Sequence, residues 1–146
     1  MREPRWVPRL VVEALHLDQL REHGGMAGLR DEGALEAALA RPRQKWTYDP
    51  DADLPLLAAA YGFGISTAHP FADGNKRTAF LAMAVFVGLN GHEIEAEEAE
   101  VVAIMVGVAS GEVGEAGLAA WLRGHLVVLG ATEACAAPLH CKSPRG

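Results

Sequence analysis

Residues 53–90, "DLPLLAAAYGFGISTAHPFADGNKRTAFLAMAVFVGLN", set two long apolar runs on either side of a short charged segment. The first run is apolar nearly all the way round, which for a helix of this length implies burial on several sides. The second, from Asn75, has the same character and is ended by Asn90-Gly91. β-Branched and aromatic residues never alternate over more than a few positions, so both runs are expected to be helices at the centre of an all-α fold. Pro70 has no N–H to donate and biases His69 away from helical angles, so the first of the two helices should end close to His69.

Upstream, "PRLVVEALHLDQLREH" (8–23) places Leu10, Val11, Ala14, Leu15 and Leu20 near helical spacing, with Gly24-Gly25 as the stop. Asp31 is a plausible N-cap for a short second helix, with Leu35, Ala38 and Leu39 on its stripe before Pro42. The segment "RPRQKWTYDPDAD" (41–53) reads as a surface connection, whose Trp46 and Tyr48 could overhang a site. Downstream, "EEAEVVAIMVGVASGE" and "EAGLAAWLRGHLVVL" each predict a further helix, the first favoured by glutamates at its start. The count is about six helices in one domain, residues 1–130. Residues 131–146 have no apolar period and are expected to form a flexible tail.

At 146 residues and 50% apolar, the chain can bury one real core. Its formal net charge of −6 argues against a broad nucleic-acid footprint, so any anion site must be local. No segment approaches the roughly 18 unbroken apolar residues of a membrane span, and no leader-like apolar region follows Met1; a cytoplasmic location is expected. Cys135 and Cys141 both fall in the tail, so no disulfide framework supports the body. With His140 they make three potential metal ligands without a fourth, which argues against a metal site there. His16, His23, His92 and His125 are expected to be surface or capping residues, and the three tryptophans to pack in the core or a groove.

The charged segment, "HPFADGNKRTAF" (69–80), is where chemistry is expected. A helix starting near Asn75 would point the N–H groups of Gly74, Asn75, Lys76 and Arg77 out of its positive end. Gly74 allows close approach to the backbone, and Lys76 and Arg77 add charge and donors, which suits a triphosphate. Asp73 is a poor phosphate ligand but a good Mg²⁺ ligand. His69 brings an imidazole, the natural general base for a protein hydroxyl. Asn75 is either a polar contact or the helix cap, and Phe71 a plug that fixes the loop. The segment lacks the upstream glycine and the preceding strand of a P-loop.

His69, Phe71, Asp73, Gly74, Asn75 and Arg77 match the signature loop of the Fic/Doc family, which this sequence resembles over residues 7–127. "GGMAGLRDEGALEAALARPRQ" and "FVGLNG" resemble its Doc-type branch, as do Lys76 and Phe80, where Fic-branch adenylyltransferases carry Gly and a second Arg. The resemblance implies a compact helical bundle with its active-site loop at a helix N-terminus, and an Mg-ATP-dependent transferase acting as the toxin of a toxin–antitoxin pair. It implies His69 as base, Asp73 as Mg²⁺ ligand, and Gly74, Asn75, Lys76 and Arg77 around the phosphates. The implied reaction is phosphorylation of a threonine of elongation factor Tu, arresting translation. Gly74, where the best-known Doc toxin has Ala, keeps AMP transfer to a protein hydroxyl as an alternative. A third reading is a catalytically idle binding partner of an antitoxin. The inhibitory Ser/Thr-x-x-x-Glu-Gly/Asn stretch of Fic proteins is absent, which implies control in trans by a Phd-type antitoxin folded into a groove.

Overall fold

The computed structural model describes residues 2–129; the expected tail, with Cys135, His140 and Cys141, lies outside them. Six helices follow in order: α1 (Arg9–His23), α2 (Glu32–Tyr48), α3 (Leu54–Ala68), α4 (Asn75–Leu89), α5 (Glu98–Ser110) and α6 (Glu115–Arg123). Two short strands, β1 (His92–Ile94) and β2 (Leu126–Val128), complete the described chain. The fold is all-α, as expected.

α3 is the central element, with α2, α4 and α6 packed around it. Leu57, Ala58, Ala59, Ala60, Tyr61 and Ile65 are all buried. Gly62 lies against the Met83 side chain of α4, and Gly64 against Ala38 and Arg41 of α2. A Cβ at Gly62 would overlap the Met83 side chain and force it to move, whereas at Gly64 it would meet Ala38 at an ordinary 3.5 Å, so the demand for glycine is at Gly62. Asp53 caps α3 by accepting from the Leu56 N–H, and it receives two bonds from Arg123 at 2.9 and 3.0 Å. The Arg123 hydrogen bonds hold the Asp53 carboxyl below its ordinary value against an opposing effect of burial. A depressed carboxyl stabilises the fold above its unfolded pKa and loses that contribution as pH falls through its folded value. Both side chains are about half exposed, which limits the contribution to about 0.5 kcal/mol. The stability gap between the native protein and Arg123→Ala, read by urea unfolding, is expected to close as pH is lowered below about 4.

The Tyr61 hydroxyl accepts from the Val7 N–H at 2.9 Å inside the core, tying the N-terminal segment to α3. Tyr61→Phe orphans that buried donor and is expected to cost about 1–2 kcal/mol in urea unfolding.

Three expectations are corrected. α2 does not stop before Pro42 but runs through it to Tyr48, so residues 41–48 are helix and not a surface connection. Packing on both sides of the proline outweighs its missing hydrogen bond. Leu35, Ala38 and Pro42 are buried, Trp46 packs against the core, and Arg41 and Lys45 pair with Glu115 of α6. Tyr48, at the helix end, is 90% exposed. The last predicted helix ends at Arg123; after the turn at Gly124, β2 pairs antiparallel with β1, Leu126 opposite Ile94. Its "LVV" favours a strand once an edge is offered by the chain after Gly91. On α1, Leu10 is 77% exposed and the buried face is Val12, His16, Gln19 and Leu20.

Among the described residues, no helix is long and apolar enough to cross a membrane.

Candidate active site

α3 ends at His69, whose backbone is left-handed (φ 51°, ψ 56°), a conformation no other non-glycine residue adopts among those described. Such a position costs about 1–2 kcal/mol and persists only when its surroundings impose it. Arg30 does so. Its Nε and Nη2 donate to the His69 carbonyl at 2.9 and 2.6 Å, and Nη2 also reaches the Ala68 carbonyl at 3.3 Å. A cation is thereby placed on the orphan carbonyls at the negative end of α3.

The loop that follows is held from both sides. The N–H groups of Arg30 and Asp31 donate to the Pro70 carbonyl, and that of Ala72 to Gly28. Leu29 and Phe71 form an isolated antiparallel bridge. Phe71 is buried as expected, and its ring stacks on His16 with centroids 3.8 Å apart. His16 is 4% exposed rather than on the surface, because its imidazole serves the loop: Nε2–H donates to the Asp73 carbonyl at 2.8 Å. The Asn75 carboxamide does not cap α4. It accepts from the Phe71 N–H and donates to the Phe71 carbonyl, both at 3.0 Å, closing the loop on itself. Asn75→Ala removes both bonds and is expected to cost about 2 kcal/mol in urea unfolding.

Asp73 presents an exposed carboxylate aimed by two backbone donors, Gly74 N–H on Oδ1 at 2.9 Å and Met26 N–H on Oδ2 at 3.2 Å. Gly74, the N-cap of α4, is left-handed (φ 77°, ψ 20°), and α4 has no side-chain cap. The first backbone bond back to the cap comes from Thr78, so the N–H groups of Asn75, Lys76 and Arg77 have no acceptor among the described residues. Lys76 and Arg77 are exposed and form no ion pair with a described residue. The imidazole of His69 is exposed and likewise unbonded within the described residues. One loop and one helical turn thus bring together a free imidazole, an oriented carboxylate, three orphan donors and two unneutralised cations. That arrangement is suited to an anion with a hydroxyl-bearing partner beside it.

A sequence profile of the Fic/DOC family matches residues 6–87, which include the whole of this loop. The chain belongs to the Fic/Doc family. Over 110 residues it is 33% identical to "Protein kinase doc" of Escherichia phage P1, spanning 75% of this chain and 86% of that protein. Over 77 residues it is 43% identical to "Toxin Doc" of Mycolicibacterium smegmatis, spanning 51% of this chain and 58% of that one. Both relatives carry Doc names, in line with the Doc-type resemblance of the loop. The family signature accounts for the residues of the loop itself but not for those that hold it. Sequence reasoning missed Arg30, His16 and Gln19. The last two continue the stripe Val12, His16, Gln19, Leu20, an i, i+4, i+7, i+8 pattern that becomes visible only when polar residues are allowed on a buried face.

Proposed function

We propose that the chain is a Doc-type toxin that phosphorylates a hydroxyl of a translation factor at the expense of Mg-ATP, with a threonine of elongation factor Tu as acceptor. The observation that carries this reading is the uncapped start of α4, where three N–H groups without an acceptor among the described residues stand with Lys76 and Arg77, one short loop after the exposed His69. The residues present fit a magnesium nucleotide: Asp73 would hold the metal, and Gly74, Asn75, Lys76 and Arg77 the phosphates, Asn75 through its backbone N–H alone. Mg-ATP supplies the transferable phosphoryl group and neutralises part of its charge.

The chain's own residues bind, orient and accept a proton. His69 takes the proton of the acceptor hydroxyl, in the position set by Arg30 and by the left-handed backbone. Rigid placement of donors and base at one helix end lowers the barrier by orientation and by charge stabilisation prepared in advance. Relatives named as a protein kinase and as a toxin support this choice of reaction. Control in trans by a Phd-type antitoxin completes the reading.

A second reading, AMP transfer to a protein hydroxyl, is favoured by Gly74 and opposed by Lys76. Intact-mass spectrometry of elongation factor Tu incubated with the protein and Mg-ATP separates the two. A phosphate-sized gain is expected. An AMP-sized gain would replace the proposal with nucleotidyl transfer, and an unmodified factor would overturn the assigned target.

A further inference from the structure

Gln19, on α1, is 2% exposed, and neither its Nε2 nor its Oε1 has a hydrogen-bond partner among the described residues. An orphaned carboxamide in a protein interior is destabilising, and native folds keep such groups when they serve another purpose. Its position supplies one. A Cβ built on Gly74 would fall well inside van der Waals contact with Gln19 Nε2, 2.8 Å from its Cδ and 3.0 Å from its Oε1. Gly74 is the N-cap of α4, so the carboxamide stands where the side chain of a capping residue would begin. A cap side chain would satisfy the helix's orphan donors, whereas Gln19 leaves all three open and sets its amide against the cap residue itself.

We propose that Gln19 is a further phosphate-binding residue of this site: its Nε2 donates to an oxygen of the anion seated on the α4 N-terminus, the partner that the described residues do not supply. The proposal rests on the nucleotide reading given above. Glycine at position 74 follows from it, because any side chain there would occupy the amide's place. One turn earlier on the same buried face of α1, His16 is committed to the same loop through its bond to the Asp73 carbonyl. α1 therefore forms the floor of the phosphate site as well as its scaffold.

The test is calorimetric titration of Mg-ATP into the unsubstituted protein, Gln19→Met and Lys76→Ala, each with a thermal melt. Methionine keeps the unbranched shape of glutamine and cannot donate. Gln19→Met is expected to bind about tenfold or more weakly, with a melting temperature equal to or above that of the native protein. Affinity within twofold of native would overturn the proposal, as would an affinity loss accompanied by a melting temperature low enough to account for it. If Gln19→Met fails to fold, the same titration of Gln19→Leu decides. Failure of the unsubstituted protein to bind Mg-ATP would overturn the nucleotide reading itself. Native affinity in Gln19→Met with weak binding by Lys76→Ala would overturn only the role of Gln19.

Discussion

His69→Ala is expected to lower the proposed phosphoryl transfer to elongation factor Tu by about 10²–10⁴-fold, the range for removing a positioned general base. It is expected to abolish growth arrest while leaving the helical fold intact. The fold should survive because the imidazole is exposed and bonded to no described residue; what holds the loop is the His69 carbonyl, which alanine retains. Alanine also meets the same left-handed backbone demand as histidine, so the strain at position 69 is nearly unchanged. Steady-state transfer rates and a thermal melt on the same preparation check both halves. Transfer at the native rate by a folded variant would remove His69 as the base. A melting temperature that falls with the rate would make the residue structural instead.

The reason this prediction is sharp also explains what the sequence disclosed. Residues that act through local geometry are legible in one dimension. Pro70 announces the end of α3, and the charges between two apolar runs announce a helix terminus with work to do, although the cap proves to be Gly74 and not Asn75. The same locality makes α3 and α4 readable, since each is apolar over its whole circumference. What was not legible depends on partners distant in sequence. α2 passes through Pro42 because Arg41 and Lys45 meet Glu115, some seventy residues on, and because Pro42 is itself buried. β2 forms because β1 offers an edge, which no periodicity in "LVV" announces. His16 and Gln19 look like surface residues on an amphipathic helix, and they are buried only because the active-site loop folds over them. Arg30 gives no sequence signal of its clamp on α3, since its partners are carbonyls.

Gly74 is where those distant contacts bear most directly on the site. Gly74→Ala is expected to destabilise the protein by about 3 kcal/mol, combining a left-handed non-glycine residue with overpacking against a buried side chain. The strain follows from φ of 77°, and the overpacking from Gln19, whose amide a new Cβ would meet. The two contributions separate in a double-mutant cycle. Gln19→Ala vacates the space but leaves the backbone angle alone, so Gly74→Ala on the Gln19→Ala background should cost only the conformational part, about 1–2 kcal/mol. A coupling of about 1 kcal/mol or more in urea unfolding establishes that residue 19 dictates what residue 74 can be. Additive costs would mean that the loop moves aside for the methyl group. In that case the α4 N-terminus is less rigidly seated on α1 than the bond from His16 implies, and a site that works by prior positioning of its donors would have lost the basis of its action.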